Sequence, residues 1–103
     1  MEICVSQDFA VSLRDVENFK AFKVVAAVKR SAYEEVRTHF GDAGYFRDPD
    51  TAFISEHWLR RQDKTRDDAA WQHDLGEMIS YAQSKGWVDA GAGAIQAHVE
   101  WRD

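Results

Sequence analysis

Three polar side chains near the end of the sequence could do chemistry together. His98, Glu100 and Arg102 occupy every second position within residues 93–103, with apolar residues between them. On a strand, side chains two residues apart share a face and lie roughly 7 Å apart. The His98 imidazole could exchange a proton, and the Glu100 carboxylate could orient that imidazole. The Arg102 guanidinium could bind a carboxylate of the substrate. The open face of an antiparallel sheet needs the same alternation, so the row predicts either a ligand site or a solvated face, and we favour the solvated face.

A second pairing of a histidine with a carboxylate is predicted on a helix. His73 and Glu77 are four residues apart, so their side chains can touch on a helical surface. Such a pair could serve as a general base and its orienting group. A second histidine at zinc-binding spacing is missing, so we predict no metal site here. The simpler interpretation is an exposed pair on a solvated helix face.

Weaker signals come from a glycine-rich segment, a basic segment and one cysteine. The glycines of residues 89–94 follow a predicted helix and precede a predicted strand, an order that indicates a connecting turn and not a phosphate loop. Cys4 has no predicted basic neighbour, which favours a buried structural thiol over a nucleophile. Nucleic-acid binding would need the basic side chains of residues 60–66, namely Arg60, Arg61, Lys64 and Arg66. Asp63 interrupts this short patch, so we predict a solvated loop.

The charge balance limits the partners that the chain can attract. Thirteen Lys and Arg residues stand against eighteen Asp and Glu residues, for a formal charge of −5. This excess repels a phosphate backbone and makes nucleic-acid binding improbable, whereas a basic protein partner or a small cationic ligand is compatible with it. A single cysteine, no signal-peptide pattern and no long apolar run lead us to expect a soluble, cytoplasmic protein without a membrane segment. No motif indicates a cofactor.

Length and composition predict one small globular domain over residues 1–103. Hydrophobic residues make up 45% of the sequence and aromatic residues 13%, which is enough for a packed core. We find no internal repeat and no linker that would divide the chain.

The first half of the chain predicts strands and one capped helix. Apolar residues fall on odd positions between 3 and 13, as in a half-buried strand or a strand with a break. Ser12 and Asp15 predict the start of a short helix. Residues 22–28 are rich in valine and fit a buried strand better than the end of that helix. Ser31 and Glu34 form a capping-box pattern that predicts a helix ending near Gly41.

The second half is predicted to hold the longest loop, a strand, the clearest helix and a last strand. Residues 41–50, with two Gly, one Pro and several Asp, predict the loop. Residues 51–61 fit a strand by composition, although helical spacing is also present. Residues 67–86 carry a continuous helical stripe, and Ile95, Ala97, Val99 and Trp101 should pack beneath its members Trp71, Leu75 and Ile79.

Together these elements predict an α+β fold. We expect a two-layer sandwich in which a mainly antiparallel sheet of about four strands carries two or three helices on one face. For function we expect a small non-enzymatic binding or regulatory module that acts on a protein partner or associates with itself, with a small ligand also possible. The alternative is a small acid/base enzyme acting on a carboxylated or carbonyl substrate. In that enzyme His98 or His73 would carry the proton and Glu100 would orient the imidazole ring. Arg102 would bind the anionic group of the substrate.

Overall fold

The structure is a computed structural model, and it describes residues 1–102. Helices and strands interleave along the chain, and short 3-10 turns occur at Arg30–Ala32 and Gly41–Ala43. The helices are α1 (Tyr33–His39), α2 (Glu56–Arg60) and α3 (Ala69–Ser84). The strands are β1 (Glu2–Val5), β2 (Val11–Arg14), β3 (Lys23–Ala26), β4 (Gly44–Asp48), β5 (Thr51–Ser55), β6 (Val88–Asp89) and β7 (Ala94–Trp101).

The strands form one mixed sheet in the order β2-β1-β3-β7-β5-β4, and β6 also pairs with β7. β7 is antiparallel to β5 and parallel to β3, and β3 is in turn parallel to β1. The predicted α+β class is confirmed, but the predicted four-strand, mainly antiparallel sheet is wrong. Parallel pairs join strands that are distant in sequence, and local alternation carries no information about which distant strands will pair.

The hydrophobic core lies on one face of the sheet. Alternate residues of β7 are buried on that face because successive strand side chains point to opposite sides. Buried residues of all three helices join the same core, including Val36 from α1 and Leu59 from α2. The predicted packing of β7 against α3 is confirmed, because residues of both elements belong to the same core. These residues are Ile95, Ala97 and Val99 from β7 and Trp71, Leu75 and Ile79 from α3.

Trp101 lies at a different place in that core from the one predicted. Its ring packs edge-on against Tyr33 of α1, with ring centroids 6.2 Å apart. Its Nε1 donates a 2.9 Å hydrogen bond to the Pro49 carbonyl. This tryptophan therefore joins α1 and the β4–β5 turn to the end of β7, away from the middle of α3.

The predicted helix starting at Ser12 is wrong. Residues 11–14 form β2, which pairs antiparallel with β1 and sets Ile3 opposite Leu13. The apolar odd positions between 3 and 13 are therefore the inner faces of two hairpin strands, as the alternative of a broken strand allowed. Asp15 then adopts a left-handed backbone (φ 52°), which cannot continue a helix. The predicted strand within residues 22–28 is confirmed as β3.

The predicted loop at 41–50 is also wrong, because half of it is β4. Its glycine and proline mark the two ends of that strand and not its interior. At Gly44 a Cβ atom would lie 1.9 Å from the carbonyl oxygen of Phe53, so only glycine lets β4 approach β5 this closely. Pro49 and Asp50 form the short turn that returns the chain into β5.

Residues 51–61 contain a strand followed by a helix, so the prediction of one strand holds only for its first half. The Ser55 hydroxyl accepts a 3.2 Å hydrogen bond from the Trp58 backbone N–H and thereby starts α2. The helix predicted after Ser31 is confirmed as α1, yet its first turn has no side-chain cap. Glu34 instead accepts a 2.8 Å bond from Arg37.

Candidate functional site

A groove opens between α3 and β7 where the sheet has a gap. Along one edge of β7, β6 pairs with Ala94 and Ile95, whereas β3 begins opposite His98. On that edge the Gln96 N–H donates a 2.7 Å hydrogen bond to the Trp87 carbonyl, just before β6, and no described strand pairs with Ala97. The groove occupies this interval with a volume of about 850 Å³. That volume falls within the usual range of small-ligand pockets.

Four aromatic side chains line the groove, and two of them are exposed. Tyr81 on α3 and Trp87, just beyond that helix, are 59% and 44% exposed. Their rings meet nearly edge to face with centroids 6.0 Å apart. Gly86 has a positive φ of 76° and ends the helix, after which the Trp87 N–H donates a 2.9 Å bond to the Ala82 carbonyl. This local geometry holds two large exposed rings side by side at the mouth of the groove.

Charged side chains border the same groove on two sides. Asp74 and Glu77 line it from α3, and Lys20 and His98 line it from the opposite wall. Among these four side chains the two carboxylates outnumber the one lysine, so acidic groups predominate at the rim. A cationic group would therefore be attracted to the mouth.

The predicted pair of His73 and Glu77 is present but exposed. Nε2 of His73 lies 3.6 Å from Oε1 of Glu77, and their side chains are 73% and 72% exposed. Exposed ion pairs at helical spacing contribute little, because solvent screens them. His73 is also not part of the groove wall. The geometry matches the solvated helix face that we favoured.

The predicted row on β7 forms a network centred on Glu100. Arg102 donates to Oε1 of Glu100, while Nε2 of His98 and Nζ of Lys23 each lie 3.2 Å from Oε2. Hydrogen bonds from these three side chains, with Arg102 contributing most, lower the pKa of the Glu100 carboxyl from 4.5 to about 2. The guanidinium of Arg102 is therefore occupied by Glu100 and is not free in the way the predicted clamp required.

The structure brings together only part of the predicted site. His98 and Glu77 both line the groove, whereas His73, Glu100 and Arg102 lie outside its wall. Sequence reasoning missed the aromatic wall of Tyr81, Trp87, Phe19 and Phe22. Tyr81 did carry a usable signal, because it falls outside the apolar stripe of its helix and so had to face solvent.

Three further sequence predictions have clear outcomes. The segment between β6 and β7 is a turn, as its glycines indicated. Cys4 is only partly buried, which corrects the prediction of a buried thiol, and it lies on the sheet face opposite the core. Partial burial and the neighbouring Glu2 raise the pKa of this thiol, so it is protonated at neutral pH.

Two of the four basic residues in the predicted patch have acidic partners, and the other two have none among the described residues. Nε of Arg60 lies 2.7 Å from Oε2 of Glu56, and Nη1 of Arg66 lies 3.6 Å from Oδ1 of Asp63. Arg61 and Lys64 form no hydrogen bond or ion pair through their side chains within residues 1–102. These two cations are therefore the part of the patch that is open to an outside partner.

Comparison of the chain with protein-family models, curated proteins and solved structures finds no match. Among residues 1–102, no three His, Cys, Asp or Glu side chains converge as metal ligands. Over the same residues, no helix has the length and apolarity needed to cross a bilayer.

Proposed function

We propose that this chain is a binding module whose groove between α3 and β7 receives a segment of a protein partner. The exposed pair of Tyr81 and Trp87 at the groove mouth is the observation that carries this proposal. Tyr and Trp dominate the binding energy of many protein interfaces, because they cover a large apolar area and lose little conformational entropy on binding. Large rings left exposed side by side are also costly to hydrate unless a partner covers them.

The charge of the groove specifies the chemistry of the partner. Asp74 and Glu77 stand beside the aromatic wall, and the chain as a whole carries a charge of −5. An apolar side chain flanked by Lys or Arg would bury its apolar part against the rings and place its cation near the carboxylates. Cations also bind favourably over aromatic faces, as Lys85 already does at 5.5 Å from the Tyr81 ring. We therefore expect a basic, apolar peptide segment.

Selection from a random peptide library against the purified chain tests this proposal. We expect the selected peptides to combine Lys or Arg with aromatic or aliphatic residues. Trp87→Ala should weaken their binding at least about 30-fold, the usual loss at an interface hot spot. Tyr45→Ala is the matched control, because Tyr45 is a similarly exposed ring (40%) on the opposite sheet face.

Equal binding to the Trp87→Ala protein would contradict the proposal. A second copy of the chain is the competing occupant of the groove. Sedimentation of the parent as a dimer and of Trp87→Ala as a monomer would identify that occupant and overturn the choice of a separate partner.

An acid/base enzyme is the second candidate, and the position of His98 favours it. Its imidazole borders the groove while its Nε2 lies 3.2 Å from a Glu100 oxygen, the arrangement of a proton carrier with an orienting carboxylate. Turnover of a carbonyl compound that disappears in a folded His98→Ala protein would establish this function in place of the binding module.

A further inference from the structure

A second groove lies between β2 and the chain that follows α2. It has a volume of about 600 Å³ and is lined by residues 12–16 and 61–65. Arg14, Arg61 and Lys64 all line it. None of these three side chains forms a hydrogen bond or ion pair within residues 1–102. Three cations without partners thus converge on one concave surface of an acidic chain.

The two carboxylates that also line this groove already have partners. Oδ2 of Asp15 accepts a 3.3 Å hydrogen bond from Asn18, and Oδ1 of Asp63 lies 3.6 Å from Nη1 of Arg66. Neither Asn18 nor Arg66 belongs to the groove wall. Arg66 offsets the charge of Asp63, whereas the neutral amide of Asn18 leaves the charge of Asp15 in place, so the three cations of the groove outnumber its one uncompensated acid.

Thr65 provides a second and independent observation at the same place. It lines the groove and is only 4% exposed, yet its Oγ1 has no hydrogen-bond partner among the described residues. A buried hydroxyl without a partner destabilises the folded state, so native proteins seldom retain one without a use. Oγ1 itself has almost no exposed surface, so a ligand oxygen would become its partner once the Thr65 side chain rotates toward the groove.

We propose that this groove binds a small phosphate-bearing anion. Arg61, Lys64 and Arg14 would neutralise its charge, and the Thr65 hydroxyl would donate to one of its oxygens. A nucleic-acid polymer is disfavoured, because the remaining acidic surface would repel a long phosphate chain. A small anion experiences mainly the charges within a Debye length of about 8 Å, where these three cations prevail.

Titration of the 15N-labelled chain with inorganic pyrophosphate at constant ionic strength tests the proposal. We expect saturable amide shifts confined to residues 12–16 and 61–65. The double variant Arg61→Gln/Lys64→Gln should bind at least about tenfold more weakly, as expected on losing two charge-assisted contacts. The control Arg37→Gln/Arg47→Gln removes the same charge elsewhere and should bind normally. Absence of saturable shifts up to about 10 mM pyrophosphate, or equal weakening in the control, would overturn the proposal.

The variant Thr65→Val distinguishes a binding role of the hydroxyl from a structural one. Valine keeps the shape of threonine and removes the hydroxyl, which has no partner in the free protein. The free energy of unfolding without ligand should therefore not fall, whereas pyrophosphate binding should weaken about threefold or more. Unchanged binding by Thr65→Val would overturn the assignment of this hydroxyl to the site. Acetate, tested in parallel, should bind more weakly than pyrophosphate, and equal binding would contradict selectivity for phosphate.

Discussion

Glu100 shows how a single residue can alter a predicted site, because it occupies the guanidinium of Arg102 that the predicted anion clamp required. Its two oxygens contact three side chains. Lys23 lies on β3, His98 lies on β7, and Arg102 directly follows β7. This network holds the carboxylate on the sheet face opposite the core. The imidazole of His98 belongs both to that network and to the wall of the groove. A change of charge at Glu100 would therefore alter the electrostatic potential of the groove through His98.

The first prediction concerns the titration of Glu100. Its pKa is lowered from 4.5 to about 2, so this carboxylate stabilises the fold above its unfolded pKa, and the stabilisation is lost as the pH falls from about 4.5 to 2. Arg102→Ala removes the largest cause and should raise the pKa of Glu100, whereas Arg47→Ala should leave it unchanged. NMR of the Glu100 side-chain carboxyl measures both values. A Glu100 that titrates in the parent near 4.5 would show that the network does not persist in solution.

At the scale of the element, α3 depends on the residue that begins it. Oδ1 of Asp68 accepts a 3.0 Å hydrogen bond from the Trp71 backbone N–H, whereas Asp67 lies outside the helix and is 95% exposed. Asp68→Ala should lower the free energy of unfolding by about 1 kcal/mol through loss of this cap. Asp67→Ala should cost only a few tenths, by weakening the charge near the helix N-terminus. Urea denaturation measures both, and equal losses would argue against the capping role.

The elements that the sequence could predict are those whose pattern is long. The stripe of α3 and the alternation of β7 each repeat several times, so their type and core faces could be predicted from local spacing. Strands such as β2 and β4 have only four and five residues, so their alternation is too brief to distinguish a strand from a helix start or a loop. The groove could not be predicted, because it depends on where β6 stops and β3 begins along β7.

At the scale of the whole molecule, β7 is the strand that joins the sheet. It lies between β3 and β5, and no described strand other than β7 connects the group β2-β1-β3 with the group β5-β4. Opening β7 would break pairings on both of its edges and would expose the core of both groups. We therefore expect its amides to open only when the entire fold unfolds.

Hydrogen exchange provides the test of this expectation. The amides of β7, including Val99, whose N–H donates to the Asp50 carbonyl at 3.0 Å, should exchange most slowly. Their opening free energy should equal the free energy of unfolding measured in urea, while edge strands β2 and β4 should exchange through smaller openings. Faster exchange in β7 than in β2 would show that the two strand groups are stable independently.

Because β7 follows in sequence the strands that it joins, its position also affects when the sheet can form during synthesis. On the ribosome, the strands of both groups emerge before the strand that lies between them. Until residues 94–101 follow, β3 and β5 each present an unpaired edge, the kind of surface on which strands of other molecules can add. The nascent chain is thus most exposed to aggregation before β7 can pair with both edges, and a chaperone that shields these edges would act in that interval.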